Sequence, residues 1–247
     1  MELAEKLLAL QQTLFPRSCS LCREVLSPRQ HSLCSDCIYD LPYNINSCPL
    51  CAEPLASKGI CPACQKHPPN FRYCHTLCDY NYPISSVVKG IKKNPYTLEI
   101  KQLSLLFADL IQTHYASEDL PQILIPMPIH PLKILYRGFN QSLIIAQFLS
   151  SKLAKTEVKN IGSRKTISKP QRFRTREQRL KILPANFIIH QQEEIQGKSL
   201  ALVDDVVTTG STANAVTESL LNAGANSVDL WCIAKTSWHN GSSSIKI

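Results

Sequence analysis

Leu200-Ala-Leu-Val-Asp-Asp-Val-Val-Thr-Thr-Gly-Ser-Thr212 gives each of its residue types a separate chemical task. Four apolar residues, Leu200 to Val203, read as a strand of a parallel sheet with both faces covered. The strand ends in the adjacent carboxylates Asp204 and Asp205, followed by two apolar residues and a turn of small hydroxyl residues around Gly210. A helical stripe then runs through Ala213, Val216, Leu220 and Leu221. A Thr-, Gly- and Ser-rich turn at a helix N-terminus offers free backbone N–H groups, hydroxyl donors and the positive end of the helix dipole, a combination that attracts phosphate. Carboxylates just before it can accept from the hydroxyls of a neighbouring polyol. The stretch therefore describes a pocket for a sugar phosphate at the C-terminal edge of a sheet, where α/β folds bind ligands. The lysine of a Walker loop and the GxGxxG of a dinucleotide site are both missing.

This order of residues resembles the phosphoribosyl pyrophosphate (PRPP) motif of type I phosphoribosyltransferases. By that resemblance Asp204 and Asp205 hold the ribose 2′- and 3′-hydroxyls, while Thr208, Thr209, Gly210, Ser211 and Thr212 wrap the 5′-phosphate. A plain strand–turn–helix, with Asp and Thr serving only as caps, explains fewer of the thirteen positions.

The 247 residues allow one or two domains, and 44% hydrophobic residues suffice for a globular core. No apolar run follows a basic start and none reaches membrane-spanning length, so the expectation is a cytoplasmic protein without a membrane span. The net charge of +8 is concentrated. Arg164, Lys165, Lys169, Arg172, Arg174, Arg176, Arg179 and Lys181 face only Glu177 in their segment, a cluster suited to phosphates of a small molecule or of nucleic acid. A solvated basic face is the bland alternative.

Ten of the eleven cysteines precede residue 80, and eight form CxxC pairs: Cys19/Cys22, Cys34/Cys37, Cys48/Cys51 and Cys61/Cys64. Each pair aims two thiolates at one point, and two pairs complete the tetrahedral S₄ site that zinc favours. Two structural zinc ions follow, with consecutive or interleaved pairing both open. Disulfides do not suit a chain without a secretory signal, and four recurring pairs do not resemble a thioredoxin-type element. About 55 residues bury little core unaided, so metal binding would supply folding free energy. Cys74 and Cys78 stand outside the pattern, Cys232 reads as a buried strand cysteine, and His31, His67 and His75 are not needed as ligands.

The chain divides into an N-terminal helix (1–15), a double zinc ribbon (16–70), an α/β domain (71–236) and a flexible tail (237–247). Past Pro68-Pro69, an edge strand is expected at Thr76–Tyr82 and helices at Ile84–Lys93, Leu98–His114 and Asn140–Leu153. Buried strands are expected at Gln122–Pro126 and Ser227–Thr236. This alternation implies a mainly parallel sheet with helices on both faces. Arg137-Gly-Phe-Asn-Gln141 stands apart: Gly138 permits an unusual backbone angle, Arg137 can fork onto a phosphate, and Asn140 can serve as a plain N-cap.

Zinc knuckles, Pro126-Met-Pro128, Arg137–Gln141 and the PRPP motif, in this order, resemble the ComF family of competence protein F and GntX-like DNA-utilisation proteins, from about Cys19 to Thr236. In that family a basic loop carries a Gln and then Arg-x-x-Asn. Gln171 and Arg179 match, whereas Ile182 stands where the Asn would be. The resemblance implies a type I phosphoribosyltransferase-like fold, PRPP bound with Mg²⁺ and contacted by Arg137, and a role in natural transformation. There the protein would handle incoming single-stranded DNA, with competence-machinery proteins as partners that hold it at the inner face of the membrane. Arg164, Lys165, Lys169, Arg172, Arg174, Arg176 and Arg179 would bind the DNA backbone, and Phe71, Tyr73 and Phe173 are candidates for stacking on bases. Two other functions fit the same residues. One is a transferase joining an unidentified acceptor to ribose 5-phosphate, for which no acceptor pocket is legible; the other is a PRPP-sensing regulator.

Overall fold

The computed structural model describes residues 17–27, 30–115, 119–154, 156–164 and 186–237. The expected N-terminal helix lies outside them, as does the tail beyond residue 237. In chain order the elements are α1 (Ser35–Tyr39), α2 (Pro62–Lys66), β1 (Cys74–Asp79), α3 (Ile84–Ile91), α4 (Leu98–His114), β2 (Ile123–Pro126), α5 (Pro131–Arg137), α6 (Gln141–Ser150), β3 (Glu157–Val158), β4 (Gly162–Arg164), β5 (Phe187–Ile189), β6 (Ser199–Val207), α7 (Ser211–Asn222) and β7 (Ser227–Lys235).

Five strands form a parallel sheet in the order β1-β7-β6-β2-β3. Its central strands are apolar on both sides because both faces are covered. Ala201, Val203, Trp231 and Ile233 face a core shared with α3, α4 and α6. Leu200, Leu202, Leu230 and Cys232 face a second core shared with α7. That core also takes Phe187 and Ile189 from β5, which pairs antiparallel with β4. Neither ribbon strand was expected from the sequence, because each is only three residues long. Among the described residues no helix is long and apolar enough to cross a membrane.

Several expected boundaries move. β6 does not stop at Asp204 but continues to Val207, since its pairing with β7 persists through Val206–Ala234 and Val207–Lys235. β1 begins at Cys74 and ends at Asp79, and it is an edge strand as expected. The helix expected from Asn140 starts at Gln141, because the Asn140 side chain accepts from the Ser142 N–H and caps it. The free edge of β1 is covered by the chain that runs from the first zinc ribbon into the second: Cys74 N–H donates to Pro49 O, Asp79 N–H to Pro42 O and Asn44 N–H to Leu77 O.

Candidate functional site

The cysteines assemble consecutively. Cys19, Cys22, Cys34 and Cys37 form one tetrad and Cys48, Cys51, Cys61 and Cys64 another, with the sulfurs of each within 4.8 Å of one another. The two ribbons repeat one local design. In each first knuckle the residue after the second cysteine takes a left-handed angle, Arg23 at φ 69° and Ala52 at φ 58°. In each second knuckle the first cysteine caps a short helix, and its N–H donates to a sulfur of the first knuckle, Cys34 to Cys19 and Cys61 to Cys48, at 3.4 Å.

The thiols themselves test the fit to metal. Burial opposes ionisation at Cys19 and Cys48, but backbone N–H groups outweigh it and hold Cys19 at about 6 and Cys48 below the usual thiol range. Burial and neighbouring sulfurs push Cys37 and Cys64 up, and burial pushes Cys51 up to about 12. Each tetrad thus holds one thiol that ionises readily beside thiols that resist it, a resistance that a bound dication removes. The two tetrads suit two structural zinc ions. His31, His67 and His75 join neither. Cys74, Cys78 and Cys232 are buried thiols whose ionisation burial opposes, so they pack as small apolar groups.

At the C-terminal edge of the sheet, Asp204 and Thr208–Thr212 line a cavity of about 290 Å³ together with Met127 and Cys232. Gly210 sits at φ 73° before α7 and, as its N-cap, brings no side chain to that helix N-terminus, where the Ser211 N–H donates to Thr209 Oγ1 at 3.4 Å. Thr209 and Ser211 share a hydroxyl contact of 2.7 Å beside it. Strand alternation separates the two carboxylates. Asp204 lines the cavity, and its Oδ1 accepts from Ser142 Oγ at 3.0 Å and from the Asp205 N–H at 2.9 Å. Asp205 lies outside that lining, with Oδ2 buried 3.8 Å from Lys92 Nζ. Burial and the charge of Asp205 push the Asp204 carboxyl well above its usual range.

Arg137 also lies outside the cavity lining, at the end of α5, where it donates to Gln141 Oε1 at 2.9 Å. Gly138 adopts φ 85° and ends that helix. Asn140 of that segment and the following Ser142 aim α6 at the site: Asn140 Nδ2 donates to Met127 O, and Ser142 reaches Asp204. Ser142 was missed in the sequence because nothing local distinguishes it from other helical serines.

Arg164 is the only residue of the expected DNA-binding set that is described, at 5.5 Å over the Phe187 ring. Lys165, Lys169, Arg172, Arg174, Arg176 and Arg179 lie outside the described residues, as do Phe173, Gln171 and Ile182. Phe71 is 3% exposed and Tyr73 41%, with Arg72 stacked over the Tyr73 ring at 5.1 Å.

The sequence matches the Double zinc ribbon domain family over residues 10–65 and the Phosphoribosyl transferase domain family over residues 140–242. It is 30% identical over 224 residues to DNA utilization protein YhgH of Escherichia coli K12, covering 90% of this chain and 98% of the relative. It is 29% identical to Competence protein F of Haemophilus influenzae, covering 88% of this chain and 96% of that one. A solved purine phosphoribosyltransferase from Pyrococcus horikoshii aligns over 54% of this chain and 70% of its own, at 20% identity and a TM-score of 0.34.

Proposed function

The chain belongs to the family of DNA utilization protein YhgH and competence protein F, and from that premise we propose that it binds PRPP with Mg²⁺ and handles single-stranded DNA in the cytoplasm during natural transformation. The observation that carries PRPP binding is the glycine-led N-terminus of α7 with its hydroxyl loop at the 290 Å³ cavity. Its backbone N–H groups and the hydroxyls of Thr208, Thr209, Ser211 and Thr212 suit a phosphate, and Asp204 at the same cavity suits a ribose hydroxyl. The magnesium ion would arrive with the pyrophosphate and neutralise it, with Asp204 the carboxylate that faces it. Asp205 would act from the far face through its charge on Asp204. The DNA reading rests on the relatives' names and on the basic segment from Arg164 to Lys181.

Calorimetric titration of PRPP·Mg²⁺ into the zinc-loaded protein and into Asp204→Ala/Asp205→Ala tests the first half. Binding that the double substitution abolishes supports the assignment; an unchanged isotherm rejects it. For the second half, affinity for single-stranded DNA should fall with salt and with neutralisation of Arg172, Arg174 and Arg176. Persistence through both would remove the nucleic-acid role.

A further inference from the structure

We propose that the groove between the second zinc ribbon and α7 takes a nucleobase whose phosphodiester rests on the Thr209–Ser211 loop, so that this loop holds an internal phosphate of single-stranded DNA as well as the terminal phosphate of PRPP. The inference rests on the phosphate role given above to that loop, and it assigns the space on the loop's other side.

The groove measures about 570 Å³, about twice the neighbouring cavity of 290 Å³ and within the size range of ligand sites. Pro54, Leu55 and Pro62 of the ribbon form one wall, and Asn214 and Glu218 of α7 face them. Thr209, Gly210 and Ser211 line both spaces, so the loop is the partition between them. Gly210 is placed there over the Phe71 ring, 3.5 Å from where a Cβ would stand.

That arrangement distinguishes two kinds of phosphate. The 5′-phosphate of PRPP is terminal: it carries one sugar, which needs only the Asp204 side. A phosphodiester carries two substituents. With its O5′ nucleoside on the Asp204 side, its O3′ nucleoside leaves the loop on the opposite side and enters the groove. The groove's chemistry suits a base and not a second anion. Its surface is mostly apolar, which favours a planar ring over a hydrated phosphate. Its lining includes Glu218 and the cysteines Cys51, Cys61 and Cys64, which with Cys48 would make an anionic tetrathiolate centre around zinc. These repel phosphate and accept from base N–H groups. Lys66 and His67 line the same groove from exposed positions on the ribbon side, where a flanking phosphate would emerge.

The test uses the full zinc-loaded chain and a deoxycytidine dinucleoside monophosphate, compared with the same probe lacking the base of its 5′ residue. The complete probe should displace PRPP·Mg²⁺, and loss of the 5′ base should weaken it about tenfold, as the lost burial of its ring against an apolar wall implies. Ala63→Trp, which fills the groove from an exposed position on the ribbon wall and lies outside the PRPP cavity lining, should exclude the base, weaken the complete probe about tenfold and change PRPP affinity by less than about twofold. Equal affinity for the two probes, or a probe that does not displace PRPP, overturns the groove assignment and leaves PRPP binding standing. Failure of PRPP itself to bind overturns the phosphate reading and the groove with it.

Discussion

Lys235 and Glu53 form a buried ion pair at 3.0 Å that joins the second zinc ribbon to the phosphate loop. Lys235 is 1% exposed at the end of β7, and its ammonium also donates to Thr208 O and Thr236 O at 2.8 Å each. Glu53 is two residues beyond Cys51, and its backbone carbonyl accepts from the Cys48 N–H. One buried cation thus fixes the first residue of the phosphate loop and the turn that presents two metal ligands.

Removing that cation should be costly in two ways. Lys235→Met removes the buried counter-charge of Glu53 and frees the Thr208 carbonyl, so stability should drop by about 3–5 kcal/mol. PRPP affinity should fall at least as far as the loop's order requires, several-fold in titration. Lys235→Met/Glu53→Gln should recover part of the stability and little of the affinity, because the Thr208 contact stays lost. Denaturant midpoints together with PRPP titrations on both variants measure the two effects.

The same link makes the two zinc sites unequal. Cys48→Ser loosens the turn that carries Glu53, whereas Cys19→Ser acts on the ribbon anchored to α4 through the Gln102 bonds to Ser32 and Leu33. Cys48→Ser should therefore reduce PRPP affinity severalfold more than Cys19→Ser, and each should lose one zinc ion by metal analysis. Zinc uptake releases protons, because Cys51 and the other raised thiols must ionise to bind it. Retention should accordingly weaken as pH falls toward 6, read by release to a chromogenic chelator.

Much of this architecture was legible because it depends on short-range pattern. The four CxxC spacings announced two metal sites, and Leu200–Thr212 announced a strand, a loop and a helix in order. The pairing of tetrads was not legible, since both pairings satisfy the same spacing. Lys235 left a trace: a lysine closing an otherwise apolar run implies a buried partner or a strand end, but not Glu53 on a different module. Ser142 and Lys92 left none, because their contacts with Asp204 and Asp205 exist only once α6 and α3 pack beside the sheet. The separation of the two aspartates follows from the extension of β6 to Val207, which the hydroxyl turn concealed.

His75 predicts an acid sensitivity independent of zinc. It sits at the edge of β1 against His114 at 4.8 Å and Tyr115 at 5.3 Å, near the buried Asp229 that accepts from Arg72 and Tyr115. Burial first, and the His114 charge second, lower His75 to about 4. A histidine with a depressed folded value binds its proton more readily when unfolded. The stability it permits is thus complete above about 6.5 and is lost as pH falls from there to about 4, by up to roughly 3 kcal/mol. His75→Phe should flatten that part of the pH–stability curve. A slope unchanged between pH 6.5 and 4 in the variant would assign the sensitivity to other groups.

The two aspartates of the motif should part company under substitution. Asp204 lines the phosphate cavity and is oriented by Ser142, whereas Asp205 faces Lys92 on the opposite side of the sheet. Asp204→Asn should lower PRPP·Mg²⁺ affinity tenfold or more, as expected for a lost charge-assisted hydrogen bond of about 1.5–3 kcal/mol. Ser142→Ala should cost less, because it frees the carboxylate without removing it. Asp205→Asn removes the charge that raises Asp204, so it should shift the pH at which binding sets in to a lower value and leave the plateau affinity within a few-fold. Because Asp204 is held above the ordinary carboxylate range, wild-type binding should weaken with acid earlier than a free carboxylate would dictate, and Asp204→Asn should abolish that dependence. PRPP titrations across pH on the three variants separate a hydroxyl acceptor from a distant charge; equal losses for Asp204→Asn and Asp205→Asn would instead place both carboxylates on the ligand.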